Sequence, residues 1–475
     1  MPTAPPLTLS SAAGRRLLAA CVAGSGMVFL DGTIANVALP RIGQDMHASL
    51  AQLQWVINAY TLTLAGLIIV GGSLGDRLGR KRVYVWGVWA FALASAAVAA
   101  SPTAGLLIAA RLVQGVAAAL LTPGSLAILQ SSFAQGDRLR AIGAWSGMLG
   151  AATAAGPVVG GFFVSIDWRL GFLINVQLAL VVLWLLRPAP ETRDEGAAGG
   201  LDVPGMLLAP TALAGLTWAL TGWGDPASVP GGRTGVLAAA GVAALAAVAF
   251  VLAERRGAHP MLPLSIFSSR AFSAVNLATL FVYAGFTGAG LFLTLFLQTT
   301  AGYSPLAAGA ATVPVSLVML GLSGYFGGVA NRRGPRGPMV AGMLTVAAAF
   351  LWLGFAPSRP DYPVHLLPPL LLQGLGMSLL VSPLTGVALA AAPERYSGIA
   401  SGVSNAVSRT AGLIAVAALP LLVGLSGALY AQPAAVARAF SSTMAWCAGA
   451  LVVGAAITLW GLRGYRAPAP EGSDA

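Results

Sequence analysis

One carboxylate stands inside the first apolar stretch of the chain. Asp31 lies within the run from Leu17 to Pro40. A charge in hydrocarbon costs several kcal/mol, so an acid in such a segment usually faces a cavity or a partner and serves function. The other fourteen of the fifteen acids lie in predicted loops or at predicted helix ends. Asp31 is therefore the candidate proton-binding group; the alternative is a side chain that only holds a neighbouring helix.

A second charge, Arg111, lies inside the fourth apolar stretch. At about 1.5 Å per residue, Asp31 lies roughly 21 Å from the boundary where its span begins, and Arg111 roughly 9 Å from the opposite boundary. In a hydrocarbon core about 30 Å thick, the two side chains share nearly one level. We predict that they meet, with Arg111 modulating a proton site at Asp31 and its hold on a cationic substrate. A permanent ion pair that only aligns two helices is the alternative.

The composition is that of a membrane protein. The chain has 57% hydrophobic and 9% charged residues and a mean hydropathy of +0.80, whereas soluble proteins have about 25% charged residues. The net charge of +11 comes from arginines scattered between apolar stretches and from one lysine, Lys81, and it indicates topology rather than nucleic-acid binding. The two cysteines and three histidines lie apart, so the sequence predicts neither a disulfide framework nor a metal site.

The apolar stretches predict an all-α integral membrane protein with fourteen transmembrane helices. Spans of about 20 apolar residues are placed at 17–39, 53–74, 83–100, 105–129, 142–166, 170–186, 203–222, 235–253, 271–299, 305–329, 338–356, 364–389, 398–425 and 440–462. With both termini inside, nineteen basic residues fall on the inner side and five on the outer side. This asymmetry predicts cytoplasmic termini, and the Ala, Gly and Arg rich composition suggests a bacterium, so we expect a bacterial inner membrane.

The loop between the second and third spans carries a family motif. The run Gly72-Ser73-Leu74-Gly75-Asp76-Arg77-Leu78-Gly79-Arg80-Lys81-Arg82 resembles the G-x-L-x-D-R-x-G-R-[KR] loop of the major facilitator superfamily. The resemblance implies a gating loop in which Asp76 and Arg77 form a cytoplasmic latch between helix ends. Ordinary capping of the third span is the alternative.

Two further motifs follow in the order expected for that family. Arg111-Leu112-Val113-Gln114-Gly115 resembles its R-x-x-Q-G motif. Six residues of the fifth span look like its antiporter motif: Gly147, Gly150, Gly156, Pro157, Gly160 and Gly161. Such glycines otherwise only permit close helix packing, and such a proline only kinks the helix.

Several segments are similar to the fourteen-helix drug:proton antiporter-2 family within that superfamily. They are 30–40, Trp168-Arg169 with 172–176, Leu297-Gln298 with 302–305, and Ser401-Gly402 with Asn405, Arg409 and Gly412. The resemblance implies a proton-coupled secondary transporter that exports lipophilic drugs or antibiotics. A lipid or metabolite transporter of the same fold, working by export, flipping or facilitated uptake, is the alternative. An enzyme is not expected, because the chain offers no convergent set of reactive groups.

An internal repeat predicts two six-helix bundles. Residues 327–334 echo 72–79 at an offset of 255, and Gln373 echoes Gln114 at an offset of 259. We predict an N-terminal bundle over 1–186, a linker with an inserted pair of helices over 187–270, and a C-terminal bundle with a short tail over 271–475. The echo loses its charges, since Asn331 replaces Asp76 and Leu370 replaces Arg111. The N-terminal half is therefore the expected seat of coupling.

A substrate cavity is expected near mid-membrane between the halves. Its candidate polar contacts are Asn36, Asn58, Tyr60, Gln114, Asn276, Gln298, Asn405 and Arg409; any of them could instead form an interhelical hydrogen bond. Because no second deep acid is present, dications should be transported poorly relative to neutral or singly charged lipophiles. The expected partners are a small lipophilic substrate and membrane lipids, with no nucleic acid. We expect a monomer with no cofactor, in which protons are the coupling ion.

Overall fold

Long helices form nearly all of the described chain. The computed structural model describes residues 7–193, 202–223, 226, 231–257, 260–392 and 397–465. The helices are α1 (Ala12–Asp45), α2 (Leu50–Leu78), α3 (Arg80–Ala100), α4 (Ala104–Ser132), α5 (Gln135–Ile166), α6 (Trp168–Leu185), α7 (Val203–Trp223), α8 (Gly232–Arg256), α9 (Arg270–Leu295), α10 (Pro305–Ala311), α11 (Val313–Arg333), α12 (Arg336–Leu353), α13 (Leu367–Ala390), α14 (Ser397–Leu422) and α15 (Pro433–Gly461). The predicted all-α fold is confirmed.

Most of these helices are long and apolar enough to cross a membrane. Thirteen helical stretches of the described chain meet that condition, one of them formed by α10 and α11 together over Pro305–Ala330. Helix α5 is 32 residues long, but its described apolar part is the shorter stretch Ala155–Ile166. The polytopic membrane fold is therefore confirmed, and the count of fourteen stays a prediction.

The internal repeat is visible in the backbone. Gly79 separates α2 from α3 with a φ of 111°, and Gly334, at the repeated position, follows α11 with a φ of 85°. Both angles lie in the region that favours glycine, so each loop turns sharply where a side chain would strain it. Helices α1 to α6 pack on one another, as do α9 to α15. The domain boundaries proposed above stay a prediction.

One helix of the inserted pair packs against both halves. Helices α7 and α8 pack together, but α7 also packs against α2 and α14, one from each half. Pro210 of α7 packs closely against Gly66 of α2, because a Cβ on Gly66 would lie 2.7 Å from the Cγ of Pro210. The rings of Trp55 and Trp218 lie 5.7 Å apart, edge to face. Only α8 has the mostly exposed surface of a peripheral helix.

Two apolar cores show where the halves join. Helix α1 begins and α2 ends at the same end of the bundle, where Arg80 and Arg82 lie, and we call this end the basic face. We call the other end the opposite face. The buried residues of one core, Met27 and Phe91 among them, come from residues 17–189, and Ala406 of α14 packs at its edge. The other runs through both halves, from the end of α1 to α9 and α15. The halves therefore share a core toward the opposite face.

Candidate functional site

The Asp31 carboxylate lies at the centre of a buried polar network. Its Oδ2 accepts a hydrogen bond from Arg111 Nη1, so the two residues meet as their depths predict. Its Oδ1 accepts from Gln114 Nε2 at 2.7 Å and from Asn175 Nδ2 at 3.1 Å. The exposed fraction of Asp31 is 0% and that of Arg111 is 1%. Several donors around one carboxylate are what a buried charge requires.

The Arg111 guanidinium is held from several directions. Its Nε donates to the carbonyl oxygen of Val56 at 2.9 Å, and its Nη1 also donates to Gln114 Oε1 at 2.7 Å. The guanidinium carbon lies 4.2 Å from the ring centroid of Tyr60 and 5.7 Å from that of Phe172. These rings stabilise a cation in a dry site. Helices α1, α2, α4 and α6 thus converge on a single ion pair.

Sequence reasoning missed two members of this network and misplaced one. Gln114 was a candidate for the substrate cavity, but it is fully buried and joins Asp31 to Ser95, whose Oγ accepts from Gln114 Nε2 at 2.8 Å. Neither Ser95 nor Asn175 was a candidate. Asn175 lies in the 172–176 segment that resembles the antiporter family, which was the available signal for it.

The network is closed in this structure. Both Asp31 oxygens accept hydrogen bonds from protein donors, and the side chain has no exposed surface. The carboxylate oxygens are thus occupied by Arg111, Gln114 and Asn175, and a role of Asp31 in holding a cationic substrate stays a prediction. The Arg111–Asp31 contact joins α4 to α1, so a change in the charge of Asp31 would alter the packing of these two helices.

The predicted gating loop lies at the basic face. Asp76 Oδ1 accepts from Arg80 Nε and Nη2, both at 2.8 Å, four residues along the chain. Gly72 packs against Pro123 of α4, and Gly75 lies beside Arg80. The Asp76 pair therefore stays within the N-terminal half here.

The linker holds this loop in place, which sequence reasoning did not foresee. The Glu191 carboxylate accepts the backbone N–H groups of Lys81 at 3.0 Å and Arg82 at 3.1 Å, at the start of α3. Gly79 has no side chain that could cap α3, so Glu191 supplies the acceptor from outside the helix. Lys81 Nζ in turn donates to the carbonyl oxygens of Arg187 and Ala189 at 3.1 and 2.6 Å.

The glycines of the antiporter motif let α5 pack closely on both halves. A Cβ on Gly156 would lie 3.1 Å from Thr33 Oγ1, and one on Gly160 would lie 3.1 Å from Ile34, both on α1. Gly161 faces α10, where a Cβ would lie 2.7 Å from Leu306 Cα. The carbonyl oxygen of Pro157 would lie 2.0 Å from a Cβ on Gly309 of α10. Gly147 and Gly150 lie earlier in α5.

Hydrogen bonds also join the halves at the opposite face. Gln54 Nε2 donates to the carbonyl oxygen of Val416 at 2.8 Å, and Gln298 Nε2 donates to that of Val37 at 3.0 Å. The Tyr430 hydroxyl donates at 2.7 Å to a carbonyl in the loop between α1 and α2. Together with the shared core, these contacts close the opposite face in this structure.

A small cavity of about 40 Å³ lies between the halves near this closure. Its lining is mostly apolar and comes from α1, α2, α9 and α14, with Asn36, Gln54 and Tyr430 as polar groups. Asn36 is thus a candidate that the structure places on a cavity, and Gln54 is a lining residue that sequence reasoning missed.

The structure places the remaining cavity candidates in four different environments. Asn276 accepts a hydrogen bond from Ser404 Oγ at 3.0 Å and joins α9 to α14. Asn58 is fully buried, and its amide has no hydrogen-bond partner among the described residues. Asn405 is exposed and donates to a carbonyl of its own helix. Arg409 lies with its guanidinium carbon 5.6 Å from the ring centroid of Phe29, across the boundary between the halves.

Two helical halves around a cavity, with an ion pair buried in one of them, define a multi-pass membrane transporter of the alternating-access class. The chain belongs to the Major Facilitator Superfamily, whose family model matches residues 21–417.

Curated relatives match most of the chain. The tetracenomycin C resistance and export protein of Streptomyces glaucescens is 37% identical over 414 residues, which are 86% of this chain and 75% of that protein. The puromycin resistance protein pur8 of Streptomyces alboniger is 36% identical over 85% of this chain and 80% of its own length. The methylenomycin A resistance protein of Bacillus subtilis is 33% identical over 89% and 90%.

Solved structures share the fold at low sequence identity. An inward-facing bacterial homologue of the human lysosomal transporter Spinster aligns with a TM-score of 0.67 at 17% identity, covering 97% of this chain and all of that one. A peptide transporter of the POT family aligns with a TM-score of 0.71 at 16% identity, covering 96% of both chains.

Proposed function

We propose that the chain exports small lipophilic compounds, drugs or antibiotics among them, in exchange for protons. The observation that carries the proposal is the Asp31 carboxylate, fully buried against Arg111 inside one half of a two-half transporter. An acid at that depth costs several kcal/mol, and such residues in membrane proteins usually serve function. The names of the relatives, which are resistance and export proteins, support the choice of substrate class.

In the proposed cycle, protonation of Asp31 changes the packing of the N-terminal half. The neutral carboxyl no longer holds Arg111 by charge, and the guanidinium keeps only its contacts to the Val56 carbonyl and Gln114, which it already makes. The α1–α4 contact then weakens, and the population shifts between the two access states. The glycine contacts between α5 and α10 form when the opposite face is closed and separate when it opens.

An orientation and a set of partners belong to the same proposal. The basic face lies in the cytoplasm of a bacterium, with both termini on that side, because cytoplasmic loops carry the excess of arginine and lysine. The protein works as a monomer surrounded by lipid. It uses no cofactor other than the proton, carries out no enzymatic reaction and binds no nucleic acid.

Reconstituted vesicles test this function. We expect an uncharged lipophilic dye, N-phenyl-1-naphthylamine, to be moved against its gradient when protons flow in the opposite direction, and the movement to stop when an ionophore removes the pH gradient. A screen of compounds in a pump-deficient bacterial host would identify substrates. Transport that only equilibrates the dye, with or without a pH gradient, would contradict proton-coupled export and favour a facilitator.

A further inference from the structure

Arg409 is a second cation inside the membrane region, and the proposed proton mechanism does not use it. It lies on α14, is half-buried, and stacks across the boundary between the halves on Phe29 of α1. It is also close enough to Tyr60 of α2 and Tyr283 of α9 to interact with them electrostatically. The same four helices line the cavity between the halves. Arg409 precedes the lining residue Val416 by seven residues of α14, about 10 Å along the helix.

The charges around this position do not balance within the protein. Both oxygens of Asp31 are taken by Arg111, Gln114 and Asn175. Among the described residues, Arg409 forms no ion pair. Asp31 is thus committed to Arg111, and the Arg409 charge at the boundary between the halves has no carboxylate partner among the described residues. A half-buried guanidinium is costly unless it is paired or hydrated, and one aromatic ring compensates for only part of that cost.

We infer that Arg409 binds the oxyanion of the substrate, and that this transporter prefers lipophilic acids. The inference rests on the proposed export function and names its substrate class. The ligand would carry a carboxylate, sulfonate, phenolate or enolate on an apolar body. The guanidinium offers planar paired donors to the oxygens of such a group. The body would extend from Arg409 along α14 toward the apolar residues of α1, α2, α9 and α14 that line the cavity about 10 Å away. Cationic compounds would meet an unpaired positive charge instead.

Export of an anion also changes the electrical balance of the cycle. One proton entering brings one positive charge in, and one anion leaving removes one negative charge. Each such exchange moves two charges inward across the membrane, so the membrane potential drives the export of an acid directly. The same exchange with an uncharged substrate moves one charge.

Two dyes that differ in one charged group test this inference. The anionic probe is 1-anilinonaphthalene-8-sulfonate, and N-phenyl-1-naphthylamine is the same aromatic body without the sulfonate. Fluorescence binding is measured with purified protein in lipid nanodiscs, with empty nanodiscs as background. We expect the wild type to bind the sulfonate more tightly. Arg409→Gln should weaken sulfonate binding about tenfold or more, the effect of losing one charge-assisted hydrogen bond, and change binding of the uncharged dye less than about twofold.

Two further variants are the controls for Arg409→Gln. Arg409→Lys keeps the charge and should retain much of the preference for the sulfonate. Arg359→Gln removes a charge from an exposed position outside the helices and should leave both affinities unchanged. Equal affinity of the wild type for the two dyes, or an equal loss of both in Arg409→Gln, would overturn the inference. Proton-driven transport of the uncharged dye by the wild type would then still support the proposed export function, whereas its absence would count against that function itself.

Discussion

Replacement of Asp31 by asparagine tests the buried network most directly. Asparagine keeps the size of the side chain and one acceptor oxygen for Gln114 and Asn175, but it removes the charge. Arg111 then remains buried without its counter-charge, and removing one partner of a buried ion pair costs about 3–5 kcal/mol of stability. We expect Asp31→Asn to lose accumulation driven by a pH gradient and to keep downhill exchange of substrate.

A double variant separates lost stability from lost coupling. Asp31→Asn combined with Arg111→Gln removes both charges, and replacing a buried pair by neutral groups is often close to neutral in free energy. The double variant should therefore recover most of the stability that Asp31→Asn loses and remain uncoupled. The interaction energy between the two substitutions follows from the free energies of unfolding of the four proteins in detergent.

The assay compares uptake into proteoliposomes with and without a pH gradient, at equal amounts of reconstituted protein. Asp45→Asn is the matched control, because Asp45 lies at the end of the same helix with a side chain that is 46% exposed. It should keep gradient-driven accumulation. Accumulation by Asp31→Asn with the pH dependence of the wild type would refute the assignment of Asp31 as the proton site.

Three further substitutions address the parts that move. Asp76→Asn should leave expression normal, because the ion pair it breaks is partly exposed and contributes under about 1 kcal/mol to stability. It should slow turnover by shifting the population of the two access states, and an unchanged rate would favour simple capping. Glu191→Gln should speed deuterium exchange of the first amides of α3 about fivefold, from a loss of about 1 kcal/mol in capping, and unchanged protection would contradict the linker contact. Gly309→Ala should abolish transport, because its Cβ would lie 2.0 Å from the Pro157 carbonyl oxygen. Gly290→Ala, with open space around its Cβ, is the control, and equal activity of the two variants would exclude a required close approach.

The sequence was sufficient to predict the elements whose signal is local. Long apolar stretches set the helices, and helical rise placed Asp31 and Arg111 at one depth. The repeated loops were predicted because glycine is needed wherever the backbone takes a positive φ, and both Gly79 and Gly334 do so.

The parts that were missed depend on contacts between distant segments. Gln114 lies three residues from Arg111 and could equally have faced a cavity, and only the packing of α1 against α4 directs it to Asp31. Glu191 is separated by 110 residues from the amide it caps, and nothing in the linker sequence specifies that pairing. The position of α7 likewise depends on how two halves come together, which apolar periodicity does not encode.

The position of α7 bears on how a compound dissolved in the lipid would reach the transporter. Helices α2 and α14 meet along one side of the molecule, and α7 covers that side, with Pro210 and Trp218 packed against α2. Lipid chains are thereby kept away from one of the two lateral seams between the halves. The seam formed by α5 with α10 and α11 carries no such cover from α7. Membrane-dissolved compounds would then approach along the seam formed by α5 with α10 and α11, and the two lateral sides of the molecule would differ in their access to lipid.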